Sequence, residues 1–382
     1  MLFKNANAVF CDGIKKCDVL TDGERITEIG ENIIGYGTTV NCEGMYLLPG
    51  LIDLHVHGGG GFSAMGSVSD ILEVSKAHLK YGVTSLLPTT LAAELQTLLG
   101  CADSVREAMK LDSGILGIHL EGPFLSKDMC GAQNSELLLT PSKTDYEAFF
   151  EGCRDVVRIA GVAPELDGAL RLGEFLKENG IVASVAHSSG DAEVFREAVK
   201  HGFSDVTHIF NACTTVHKQG AFKKAGTAEA ALADESVSVQ VIADLVHLPR
   251  ELLSVIYKTK GDGKMYLISD GLEFSACEIE EGTVVTQRNG VRAVYLNKAM
   301  LLEDKSALAG GASSGIELVK NMHFSVGVPL FGAVRMMSLT PAEVLGITDR
   351  GCIEVGRRAD LLLTDSQLNI KKIIKGGIEI SA

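Results

Sequence analysis

Eight short apolar runs recur through the middle of the chain, at 46–57 (YLLPGLIDLHVH), 82–91, 114–121, 156–165, 181–188, 203–212, 238–247 and 264–271. Between most of them the apolar positions fall at helical spacing, as in VSDILEVSKAHLKYG, DGALRLGEFLKENG, DAEVFREAVKHG and PRELLSVIYKTKG, each ending near a glycine. Near-continuous apolar strands alternating with amphipathic helices mark a parallel sheet covered by helices. Eight such units predict an α/β fold, a closed (β/α)8 TIM-like barrel over 49–349. An open doubly wound sheet is the alternative.

The two ends have a different rhythm. Asp12-Gly13 and Asp22-Gly23 are hairpin dipeptides between strand-like segments, and GCIEVG, ADLLLTD and IKKIIKGGIEI repeat that pattern near the C-terminus. Residues 1–48 and 350–382 therefore predict one small β-sandwich domain, with the barrel inserted between its halves. After the eighth run, Asn289-Gly290 reads as the tip of a hairpin in a β-insertion, and LTPAEVLGI (339–347) as a last short helix.

Composition narrows the functional classes. A formal net charge of −14 argues against non-specific nucleic-acid binding, although a local basic pocket can still hold an anionic small molecule. No window approaches 18 uninterrupted apolar residues, so no membrane span is expected, and MLFKNANAVFCDG lacks the layout of a secretion signal. The nine scattered cysteines contain no C-x-x-C and read as reduced thiols of a cytoplasmic protein.

The chemistry gathers at the strand ends, where barrels place their reactive groups. His55 and His57 lie two apart, so both point to one face at the end of the first run. Glu121 ends the third run, His187 the fifth, His208 the sixth and Asp270 the eighth. Each histidine alone is as well read as a packed core residue. Together, imidazoles and carboxylates on one barrel rim suit a divalent cation, zinc first, with iron or manganese as alternatives. Such a cation acidifies a water, and Asp270 is the candidate to take its proton and later pass it to a leaving group. The run GGGG (58–61) reads as a plain turn rather than a phosphate cradle, because no GK[ST] follows. His78, His201 and His323 read as surface or packing residues, and His119, on the same face as Glu121, as support for the ligands.

PGLIDLHVHGGGG, HLEGPF, GAQN, AHSSGDAE, THIFNA, IADLVH, ISDG, LAGG and GRRADLLLTD occur in that order over nearly the whole chain. The set resembles the N-acetylglucosamine-6-phosphate deacetylases of the amidohydrolase superfamily. The resemblance implies removal of the acetyl group from an amino-sugar phosphate, one or two divalent ions per subunit, and a homodimer. It implies that Glu121, His187 and His208 are the principal metal ligands, that His55 and His57 provide a second position, and that Asp270 is the acid/base. It assigns Ala132, Gln133, Asn211, Ala212, Gln219, His247, Leu308, Ala309, Gly310 and Gly311 to the substrate. One departure stands out: Gln219 occupies the place of an arginine that grips the phosphate. Glutamine offers no bidentate charged contact, which leaves His217, Lys218, Lys223 or Lys224 to supply the charge, or a different or unphosphorylated amide as substrate. The rival readings are another amidohydrolase, which would commonly carry a lysine on its fourth strand, and a non-catalytic sugar-binding protein.

Overall fold

The structure, a computed structural model, describes residues 1–35, 37–288 and 290–380. All eight apolar runs contain a barrel strand: Leu51–Val56, Val83–Thr90, Ile118–Glu121, Val157–Val162, Val182–Val185, Phe203–Val206, Ser238–Ile242 and Met265–Ile268. They pair in chain order and in parallel. The sheet closes at its upper edge, where the Asp270 amide donates to the His55 carbonyl at 3.0 Å and Val56 bridges Gly271. That closure rules out the open doubly wound sheet.

Lower down, the first and eighth strands do not meet. There the backbone of a late segment fills the seam: Ile52 N–H donates to Met337 O (2.7 Å) and Leu267 N–H to Met336 O (2.8 Å). The barrel floor is packed with Ile52, Leu54, Leu87, Leu116, Ile159, Ile242, Tyr266 and Ile268, all buried. Each such side chain stabilises the fold by roughly 1.5–3 kcal/mol relative to exposure.

The expected helices form at Val68–Leu79, Ala169–Glu178, Ala192–Lys200 and Arg250–Lys260, and Leu339–Val344 is the last of the chain. Ser67 starts the first by a reciprocal cap with Asp70, each side chain accepting from the other's backbone N–H. No helix among the described residues is long and apolar enough to cross a membrane.

The two ends of the chain share one eight-stranded sheet, in which Tyr46–Pro49 pairs with Leu361–Thr364 and Leu2–Phe10 pairs with Gly13–Asp22. The sheet curls around Phe3, Val19, Leu47, Leu361 and Ile374 until its edge meets a late loop, where Ile26 N–H donates to Arg357 O at 2.9 Å. The β-insertion is a four-stranded antiparallel sheet of Val284–Thr286, Arg292–Leu296, Ala299–Leu302 and Leu308–Gly311. Of its expected tip, Asn289 lies outside the described residues. All nine cysteines are free thiols.

One buried charge makes a test of stability. Lys260 ends its helix with its ammonium against the carbonyls of Ala231 and Asp234, and no carboxylate among the described residues is in contact with it. Burial pulls its pKa from 10.5 down to about 8. Between those values the unfolded chain holds the proton and the folded chain releases it, so stability rises with pH there. Allowing for the water the ammonium retains, we expect roughly 1–2 kcal/mol. In urea unfolding, wild type should gain that much over Lys260→Met between pH 7.5 and 10.5. A difference that stays constant with pH would remove the assignment.

Candidate active site

The site grows out of the upper ends of the strands. His55 sits inside the first strand and His57 just past it, and their Nε2 atoms approach to 3.1 Å. The four glycines that follow answer to crowding at the first two and to left-handed backbone at Gly60 and Gly61, at φ of +64° and +90°. A side chain at Gly58 would meet Phe62 O at 2.5 Å, and one at Gly59 would meet the His78 ring at 2.7 Å. His78 is wholly buried beneath them. Its Nε2 contacts Gly58 O at 2.8 Å and its Nδ1 the Ser314 hydroxyl at 2.7 Å, while Ser275 Oγ donates to Gly58 O at 3.0 Å. A residue expected at the surface or in simple packing thus ties together the loops that follow His57, Asp270 and Gly311.

Glu121 ends the third strand, as expected. His187, His208 and Asp270 do not end theirs: each lies two residues beyond, at φ of +44°, +26° and +48°. Left-handed backbone at non-glycine residues costs on the order of 1–3 kcal/mol and persists where the surroundings enforce it. Here it turns three side chains inward over the rim.

They converge on Glu121. Its Oε1 lies 2.8 Å from His208 Nε2, 3.2 Å from His187 Nε2 and 3.6 Å from His55 Nε2, and its Oε2 lies 3.3 Å from His57 Nε2. Asp270 Oδ1 faces His57 and His55 at 3.1 and 3.3 Å. Two groups can each hold a metal ion, His55–His57–Glu121 and Glu121–His187–His208, with Glu121 common to both.

The outer nitrogens show that the donor set fits a cation. His187 Nδ1 contacts Met129 O (2.8 Å), His208 Nδ1 contacts Asn211 O (3.2 Å) and His55 Nδ1 contacts Gln240 Oε1 (3.0 Å). Those oxygens only accept, so each ring carries its proton on Nδ1 and turns a lone pair toward Glu121. Without a cation the cluster takes up protons instead. Burial opposes a charged His57, but hydrogen bonds to Asp270 and Glu121 outweigh it and carry the imidazole up to about 10. Burial likewise opposes ionised Glu121 and Asp270, yet the surrounding imidazoles hold Glu121 well below the carboxylate range and lower Asp270 too. A bound cation would displace those protons.

Beside this cluster opens a cleft of about 380 Å³, lined by Ala132, Gln133, Asn211, Ala212, His247 and Leu308–Gly310. Four expectations change in detail. Gln133 spends its amide inside the protein: Nε2 donates to Glu121 Oε2 (2.7 Å) and Oε1 accepts from Ala92 N–H (2.8 Å), so it steadies Glu121. His247 does not close the seventh strand, which stops at Ile242; it sits on the next loop, gripped through Nδ1 by Asp244 at 2.7 Å. Burial opposes charging it, and the Asp244 carboxylate prevails and raises its pKa. Gln219 does not line the cleft; it stands exposed on the hairpin His217–Gln219/Phe222–Lys224 with Lys218 and Lys223. Gly311 lies behind Asp270, to whose carbonyl it donates at 2.7 Å; a side chain there would strike Ser269 O at 2.0 Å.

His119, expected as support for the ligands, is anchored by Nδ1 against Leu54 O at 3.0 Å, and its ring lies edge-on to His55 at 4.6 Å. Two further residues, not singled out by the sequence analysis, back the site from behind His55. Gln240 touches His55, and Asp205 touches Gln240. Their signal was available, as a glutamine and an aspartate inside otherwise apolar strands (SVQVI and FSDV).

Residues 46–379 match the model of the Amidohydrolase family. The chain is 31% identical over 341 residues to the N-acetylglucosamine-6-phosphate deacetylase of Bacillus subtilis (strain 168), covering 87% of this chain and 84% of that one. It is 27% identical over 332 residues to the N-acetylgalactosamine-6-phosphate deacetylase of Escherichia coli O157:H7, covering 86% and 85%. The crystal structure of N-acetylglucosamine-6-phosphate deacetylase from Pasteurella multocida superposes with a TM-score of 0.92 at 26% identity, covering 100% of this chain and 99% of that one.

Proposed function

The chain belongs to the amidohydrolase family, and from that premise we propose that it hydrolyses the acetamide of N-acetylglucosamine-6-phosphate to glucosamine-6-phosphate and acetate. The observation that carries the reading is the meeting of four imidazoles and two carboxylates from five strands beside one cleft.

Glu121, His187 and His208 would hold one divalent ion, and His55, His57 and Glu121 a second. Zinc is the first choice for this imidazole and carboxylate set, with iron or manganese next. When bound, the cation acidifies a water and polarises the amide carbonyl. The rest belongs to the protein. Asp270 Oδ1 takes the proton of the attacking water and returns it to the departing amine. Gln133 keeps Glu121 oriented. His247, braced by Asp244, presents its free Nε2 to a sugar hydroxyl, and Asn211, Ala212 and the backbone of 308–310 frame the sugar. A charge for the 6-phosphate would come from the hairpin bearing His217, Lys218, Lys223 and Lys224, since Gln219 brings none. A homodimer fits the exposed apolar Val216 and Phe222 on that same arm. A cytoplasmic setting fits nine free thiols.

Acetate release from a panel tests the proposal: N-acetylglucosamine, its 6-phosphate, the two galactosamine counterparts and N-acetylated amino acids. The 6-phosphate of N-acetylglucosamine should lead in kcat/KM, by tenfold or more over the unphosphorylated sugar. Faster hydrolysis of an N-acetylated amino acid would reject it.

A further inference from the structure

We infer that Asp205 and Gln240 form a positioning chain that holds His55 and so sets the affinity of the His55–His57–Glu121 cation position, leaving the Glu121–His187–His208 position untouched. The inference rests on the cation-binding reading above. Its basis is an asymmetry between the two groups. His187 and His208 are fixed through Nδ1 by main-chain carbonyls, of Met129 and Asn211, which no side-chain substitution removes. His55 is fixed by a side chain, Gln240, at 3.0 Å. His57 Nδ1 is buried with no partner, so the hold on this second group falls to His55.

The direction of the chain is determined. Asp205 is buried and takes three donors from other barrel strands: Tyr266 Oη at 3.0 Å, Ser184 Oγ at 2.7 Å and Gln240 Nε2 at 2.8 Å. Turning the Gln240 amide over would set its oxygen against a carboxylate oxygen at 2.8 Å, which is repulsive. Its Nε2 must therefore face Asp205, and its Oε1 must face His55 and accept. His55 is left with its proton on Nδ1 and a lone pair on Nε2 aimed at Glu121 and His57. The carboxylate behind the amide makes that imidazole a better donor to a cation. Asp205 and Gln240 touch neither the cleft nor the reacting atoms; they act only through His55.

The test measures Mn(II) uptake by the full-length protein rather than turnover. In Gln240→Leu, one class of Mn(II) should weaken about 10- to 100-fold, as loss of a partner behind a metal-bound histidine does. The other class should bind as in wild type, and the electron paramagnetic resonance signal of a coupled Mn(II) pair should give way to that of an isolated ion. Gln240→Glu alone places two carboxylates face to face and should do the same. Adding Asp205→Asn to Gln240→Glu restores an alternating chain, in which the new amide donates to the new carboxylate and that carboxylate accepts from His55. The double variant should recover at least part of the lost uptake. A role in packing alone would not be rescued by exchanging charges. Unchanged Mn(II) uptake in Gln240→Leu overturns the inference, as does equal weakening of every bound ion. Wild-type protein that takes up no cation would instead defeat the catalytic reading.

Discussion

Asp270→Asn should lower acetate release about 10³- to 10⁴-fold while leaving cation content within error of wild type, as expected for removal of a group that moves protons at two stages of one reaction. The substitution is well isolated. Asn matches Asp in size and is the residue, after glycine, that best accepts the left-handed backbone found here at φ +48°. The backbone bond that closes the barrel, Asp270 N–H to His55 O at 3.0 Å, does not involve the side chain and survives. Asn cannot take a proton at Oδ1, so the step fails although the cleft keeps its shape. Steady-state rates on N-acetylglucosamine-6-phosphate, with metal analysis by mass spectrometry, decide the matter. More than a tenth of wild-type turnover would take the acid/base role away from Asp270.

The largest loss of cation should follow Glu121→Gln. One carboxylate lies within 3.6 Å of four imidazole nitrogens and belongs to both candidate groups. The amide keeps the volume but presents a donor where two positions need a negative oxygen. Both should empty together, with bound metal falling below about a tenth of wild type and turnover falling with it. His187→Ala and His55→Ala should each weaken one position only. Metal that persists in Glu121→Gln at wild-type stoichiometry would show that the imidazoles suffice, and Glu121 would lose its central place.

Much of this could be read in the sequence because barrel strands advertise themselves. Apolar runs such as VTSLLPTT and SVQVI are buried along their whole length, so their pattern is continuous and their order fixes the sheet. The site was legible for the same reason: a histidine or carboxylate closing such a run has little else to do. What stayed hidden depends on backbone geometry or on distant partners. The turns that carry His187, His208 and Asp270 past their strands leave no mark in composition, since left-handed histidines look like any others. His78 has the spacing of an ordinary helix residue, and only the fold brings Gly58 and Ser314 to its two nitrogens. IADLVH is apolar enough to predict a strand running to His247, whereas Asp244 turns the chain by accepting the backbone N–H of Val246 and His247.

The seam between the first and eighth strands bears on how the chain is made. Ile52 and Leu267 find their backbone partners in Met337 and Met336, and Tyr46–Pro49 finds its neighbour in Leu361–Thr364. A ribosome delivering this polypeptide exposes the earliest of those segments long before the latest exist. Until then the half-built cylinder has unsatisfied amides along one gap, a vulnerable interval for clumping or for attack by proteases. Birth order therefore makes the segment around Met336 and Met337 a latch for the lower seam, while the rim above it closes through its own bond from Asp270 to His55.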